Sequence, residues 1–228
     1  MAKGSTTRKQ LLKEPDQFIT FSGKLIAFGQ AHLKTILIGA GSFFALVLAA
    51  AVIGQISDLN ENRASEGVEK AMATYSAALQ DTDAKTAYDR VKADFNDLFK
   101  KYGSKNATKI ARILFGSISY NAGDADTAIA MYTHALDDFG QNSALKNIAL
   151  NGLGQAYILK QQYSEAIRHF EMISADGGKM LQSGALFNLA WLYDRTGDKP
   201  KSTALYKQLL AEFPDSMYGD LVREKIGS

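Results

Sequence analysis

Residues 35–56, TILIGAGSFFALVLAAAVIGQI, form twenty-two consecutive positions without a charged side chain. A helix of that length reaches about 33 Å, and the hydrocarbon core of a bilayer is about 30 Å thick. A helix packed in a globular core keeps a polar face, whereas this stretch offers only Thr35, Ser42 and Gln55. The expectation is a transmembrane helix over 35–56. A cleavable signal peptide is the competing reading, because Ala49-Ala50-Ala51 has the character of a cleavage site. Such peptides have an apolar region of about 7–15 residues after a short basic one; here residues 1–34 come first.

Charge predicts the orientation. Residues 1–34 carry six basic residues (Lys3, Arg8, Lys9, Lys13, Lys24, Lys34) against Glu14 and Asp16, a net charge of +4. The remaining chain carries 20 basic and 22 acidic residues. Short basic tails stay cytoplasmic, while long domains translocate largely regardless of charge. A single-pass protein with a cytoplasmic N-terminus and a periplasmic C-terminal domain is expected. The overall charge of +2 divides between compartments and is no nucleic-acid signature. The chain has no cysteine, which excludes disulfides and thiol chemistry.

Within residues 1–34, Phe18, Phe21, Leu25 and Phe28 recur at spacings of three and four. That periodicity predicts an amphipathic helix over 16–33 lying on membrane lipid; a helix that simply continues into the span is the alternative. Gly41, Ala45 and Ala49 are spaced by four and form the candidate intramembrane contact, since small residues let membrane helices approach closely.

After Ser57 helical periodicity dominates. Residues 58–80 and 83–102 read as two helices, with Asp81 or Thr82 capping the second and Gly103 ending it. Three segments then line up, beginning at Leu114, Gly152 and Asn188. They share a small residue in a first helix (Gly116, Gly154, Ala190) and a turn at Gly123-Asp124, Gln161-Gln162 and Gly197-Asp198. A second small residue follows (Ala128, Ala166, Ser202), then an aromatic four later (Tyr132, Phe170, Tyr206). Tyr157 and Tyr193 recur in the last two units, with Ser119 in their place in the first, and Pro214 closes the third.

This pattern, over residues 106–215, resembles the tetratricopeptide repeat, a helix–turn–helix unit. The resemblance implies an all-α chain: one N-terminal transmembrane helix, then an α-solenoid of helix hairpins. Residues 57–105 are expected to be two spacer helices or a degenerate repeat. In the latter reading Ala78 and Phe95 fall near the small and aromatic positions, and Arg90 near the second small one. Residues 106–228 would be the repeat domain, ending in a capping helix from Ser216.

The repeat geometry implies a concave groove lined by the first helix of each unit. Its expected residues are Ile110, Ile113 and Tyr120; Ile148, Asn151, Gln155 and Ile158; and Phe187, Trp191, Asp194 and Arg195. Few are basic. An apolar helix or extended apolar segment suits such a groove better than a charged C-terminus. The competing reading places several of these side chains in the core. No catalytic, cofactor or metal site is expected. His32, His134 and His169 are isolated, no phosphate loop or nucleophile elbow occurs, and the acidic residues Asp58, Glu61, Glu66 and Glu69 read as a solvated face.

The order of basic tail, amphipathic stretch, anchor, two helices and short repeat domain resembles the ancillary subunit family of the bacterial SecYEG translocon (YfgM-like proteins). That resemblance implies a protein of the bacterial inner membrane, with translocon subunits, a periplasmic chaperone and unfolded or nascent polypeptides as partners. A scaffold for assembly of a cell-envelope or respiratory membrane complex is the alternative. A mitochondrial-type import receptor would need the opposite topology.

Overall fold

The computed structural model describes residues 23, 24, 26–28, 30–176 and 178–227. The expected cytoplasmic tail therefore lies largely outside the described residues, as does the first part of the amphipathic helix expected over 16–33. The described positions from 23 to 31 are helical, with a turn at His32.

The chain divides into two compact bodies, Met1–Asp58 and Leu59–Ser228. The described residues contain helices α1 (Leu33–Asp81), α2 (Ala84–Tyr102), α3 (Asn106–Asn121), α4 (Ala125–Phe139) and α5 (Ser143–Leu159). They are followed by α6 (Tyr163–Asp176), α7 (Lys179–Thr196), α8 (Lys199–Glu212) and α9 (Gly219–Gly227). Helix α1 carries the apolar stretch, and it does not end at Ser57 as the change of composition had suggested. No proline stands there to stop it. In the first body Leu37, Phe43, Phe44, Leu46, Leu48 and Ile53 are all exposed. Its helix is long and apolar enough to cross a membrane.

The second body is a series of antiparallel hairpins whose cores overlap. One apolar cluster joins Ala71, Tyr75 and Ala78 of α1 to Val91 and Phe95 of α2 and Phe115 of α3. The next joins α3, α4 and α5 around Tyr132 and Leu153. Another joins α5, α6 and α7 around Phe170 and Leu192, and a further one joins α7, α8 and α9 around Tyr206 and Val222. Each first helix thus shares one core with the preceding hairpin and another with its own partner. This is the nearest-neighbour architecture of a solenoid.

Aspartate or asparagine begins α2, α4, α5 and α8, because these side chains accept amides that no preceding turn can bond. Asp124 accepts Thr127 N at 3.1 Å, Asn142 accepts Leu145 N at 3.2 Å and Asp198 accepts Lys201 N at 3.1 Å. The cap of α2 corrects the sequence reading. Asp83, not Asp81 or Thr82, accepts Thr86 N at 2.7 Å, while the Thr82 hydroxyl turns back to donate to Ala78 O.

That cap also sets the register of the α1–α2 hairpin. The residue four past it is Ala87, fully buried, as Ala128 lies four past Asp124 and Ser202 four past Asp198. Arg90, which the looser alignment placed at the small position, is exposed.

The turns within the α3–α4, α5–α6 and α7–α8 hairpins each use one left-handed residue. Gly123 (φ 80°) and Gly197 (φ 92°) supply it without a Cβ penalty, and Gln161 (φ 59°) occupies the same place in the central unit.

Two longer contacts tie successive hairpins. Helix α3 has no cap of its own, because Lys105 stands at its N-cap. Glu61 supplies one from α1: its carboxylate accepts Asn106 N at 3.0 Å and Ala107 N at 2.8 Å. Glu61 is thus no part of a purely solvated face. Asp124 likewise does more than cap α4. It accepts the Tyr88 hydroxyl at 2.6 Å, the Thr127 hydroxyl at 2.9 Å and Lys92 Nζ at 3.3 Å, joining α2 to the next hairpin. Burial would raise its pKa, but these hydrogen bonds outweigh burial and hold the carboxyl at about 2.

Candidate functional site

The small residues of the first helices admit aromatic rings from the second helices. Gly152 and Gly154 are two residues apart on α5, so they face nearly opposite sides of it. A Cβ on Gly152 would stand 2.3 Å from the ring of Tyr132 on α4, and one on Gly154 would stand 2.5 Å from the ring of Phe170 on α6. Gly116 on α3 faces the other side of Tyr132, at 2.9 Å by the same measure. Helix α5 is therefore clasped between two rings and presents a remaining face outward. Burial pushes the Tyr132 phenol up to about 12, with a hydrogen bond to Ser117 opposing the shift.

The expected groove residues lie on α3, α5 and α7. Ile110 and Ile148 are the most open apolar ones, at 47% and 42% exposure. Ile113 and Tyr120 are half-buried against the α3–α4–α5 core, and Ile158 and Trp191 against the α5–α6–α7 core. Trp191 meets Tyr163 edge-on at 6.2 Å, and the Arg195 guanidinium sits 5.2 Å over its ring. Phe187 stacks on Tyr218 at 4.5 Å. Asp194 is paired with Lys199 and Lys225, which hold its carboxyl below the usual range, the Lys199 bond contributing most.

A cavity of about 690 Å³ brings two of the expected residues together with the segment around Pro214 and Ser216, which the sequence reading took only as a helix stop and the start of a cap. Asn151 and Gln155 form its α5 side, Gly184 and Asn188 its α7 side, and residues 212–218 its C-terminal side. Trp191 and Arg195 do not line it. Its polar lining mixes the amides of Asn151, Gln155 and Asn188 with the hydroxyls of Ser183, Ser216 and Tyr218, and Asn188 Nδ2 donates to Gly184 O at 2.9 Å. Glu212 and Asp215 give it an acidic edge, and among the described residues no lysine or arginine lines it. An acidic edge without cations repels a carboxylate ligand, while amides and apolar walls suit a peptide backbone with uncharged side chains.

That segment was open to the same spacing argument. Ile110, Ile148, Gly184 and Tyr218 follow one another at steps of 38, 36 and 34 residues. Tyr218 thus occupies the first groove position of a further, half-complete unit. The segment up to Tyr218 extends the lining, and α9 after it closes the core through the buried Val222. Met217, at 87% exposure, stands at the cavity's rim.

In the other body, Ala45 and Ala49 lie on α1 with exposed side chains; the side-chain surroundings of Gly41 are outside the described part. Among the described residues no group of three or more His, Cys, Asp or Glu side chains is placed to hold a metal ion. His169 is buried and stacked on Tyr157 at 5.4 Å, and burial lowers its pKa.

The tetratricopeptide repeat family model matches residues 184–216, which span α7, α8 and the segment lining the cavity. Comparison with curated proteins gives no match. The matched unit and the hairpins stacked before it make this an all-α chain with a tetratricopeptide-type solenoid, a fold that serves protein–protein interaction.

Proposed function

We propose that this chain is a single-pass protein of a bacterial inner membrane whose periplasmic repeat domain holds apolar segments of emerging polypeptides beside the Sec translocon. The observation that carries the reading is the concave lining. Ile110 and Ile148 are exposed on the successive first helices α3 and α5, and the cavity between α5, α7 and the C-terminal segment carries amides that can meet a peptide backbone. Such a surface takes an apolar segment through burial and meets its backbone through Asn151, Gln155 and Asn188. It discriminates little between apolar sequences, as a receptor for many clients requires. The basic N-terminal tail supports the orientation.

These two isoleucines give a direct test. Replacing Ile110 and Ile148 together with glutamate changes two partly exposed side chains and leaves the buried clusters intact. The expected result is binding of a fluorescent unfolded polypeptide weakened by about tenfold, with an unchanged melting temperature. Affinity equal to that of the wild type would place clients elsewhere on the protein.

A further inference from the structure

Five basic side chains gather where α2 ends and α3 begins: Lys100, Lys101, Lys105, Lys109 and Arg112. Lys100 and Lys101 occupy the last turn of α2 and are exposed. Lys109 and Arg112 share one carboxylate, that of Asp138. Of the acids nearby, Glu61 spends both carboxylate oxygens on the Asn106 and Ala107 amides, Asp94 and Asp97 are exposed earlier on α2 where they share a pocket lining with Lys70, and Glu66 and Glu69 are exposed on α1.

Chain length bounds where this corner can be. Glu61 lies five residues past Ile56, the last residue of the apolar stretch. Five residues reach at most about 18 Å even when fully extended. Because the Glu61 carboxylate is bonded to the first amides of α3, the start of α3 lies no further from Ile56 than that reach plus the length of the Glu61 side chain and its hydrogen bond. Anionic headgroups attract lysines within about a Debye length, roughly 8–10 Å in physiological salt.

We propose that the α2–α3 corner binds anionic phospholipid headgroups, so that the repeat domain rests on the membrane that anchors it. Lys100 and Lys101 make the contact, and Glu61 sets the distance. A domain docked by this corner is limited in its tumbling and keeps a constant height above the bilayer. The inference rests on the reading of residues 35–56 as a membrane span.

The absence of cysteine allows single labelling sites. The full chain carrying Ser104→Cys, with a fluorophore at the turn between α2 and α3, is reconstituted in two bilayers. One is phosphatidylcholine alone, and the other adds phosphatidylglycerol; both hold a headgroup-attached quencher. Gln162→Cys labels the opposite ends of the hairpins, and Val47→Cys labels the span. The expected result is about twofold stronger quenching at position 104 in the anionic bilayer, lost at high salt and lost in the Lys100→Glu/Lys101→Glu variant, with position 162 insensitive throughout. Equal quenching at position 104 in both bilayers, with the Val47 probe quenched by acyl-chain quenchers, overturns the corner's role and leaves the span standing. A Val47 probe that acyl-chain quenchers do not reach overturns both.

Discussion

Gly154→Leu will cost the repeat domain about 3 kcal/mol of stability, the upper range for an overpacked core. A single Cβ at this position already falls 2.5 Å from Cζ of Phe170, and the remaining leucine atoms have nowhere to go. Phe170 cannot swing aside, because it is fully buried among Leu150, Ala166 and Leu189. The backbones of α5 and α6 must separate, and the cores on both sides of α5 loosen with them. Two mid-helix glycines cost α5 about 2 kcal/mol of intrinsic helix propensity relative to alanine. Fit to the two rings is what offsets that cost. Gly184 provides the contrast. A Cβ there meets Tyr218 Oη at 3.5 Å, an ordinary contact, so Gly184→Ala should be neutral or stabilising by up to about 1 kcal/mol. Denaturant titration of the three proteins checks both. A Gly154→Leu protein that unfolds with the wild type would mean that the α5–α6 crossing is not where the structure puts it.

Leu46→Arg together with Leu48→Arg will move the protein out of the membrane fraction. Each arginine near the centre of a span costs about 3 kcal/mol of insertion free energy relative to leucine, so the pair costs about 6 kcal/mol. Both positions lie on the exposed, apolar part of α1, where no buried partner could compensate the charge. Carbonate extraction of membranes, with the wild type retained and the double variant released, is the measurement. A wild-type chain found wholly in the soluble fraction, shortened after Ala51, would instead support the signal-peptide reading.

The regular parts of this fold were legible because they obey spacing. Small residues, aromatics and turns recur in Gly116, Ala128 and Tyr132, in Gly154, Ala166 and Phe170, and in Ala190, Ser202 and Tyr206, and the helices follow them. Gly152 carried no such signal. The other units have Leu114 and Asn188 in its place, so its close approach to Tyr132 belongs to this chain's own packing. The α1–α2 register failed on a local competition. Asp81, Thr82 and Asp83 can all cap, and only the backbone geometry shows Asp83 extended and bonded to Thr86. Glu61 was unreadable for a different reason. Its partners lie 45 and 46 residues away, and no sequence period links an acid on α1 to the bare start of α3. The expected groove residues were legible as positions on α3, α5 and α7, but how their side chains pack was not. Packing turns Trp191 toward Tyr163, and the connection after Pro214 brings Tyr218 over Phe187.

The most direct measurement is photocrosslinking in native bacterial membranes from position 155, in the cavity, with position 45 in the anchor as a second site, read by mass spectrometry. Trp191 is less suitable, because it is packed against Tyr163. The account predicts translocon subunits at position 45 and many different envelope and secreted polypeptides at position 155, the latter lost when protein synthesis is blocked. A single recurrent partner at both positions, present whether or not new chains are being made and without any translocon subunit, would contradict it and make the protein a dedicated assembly scaffold.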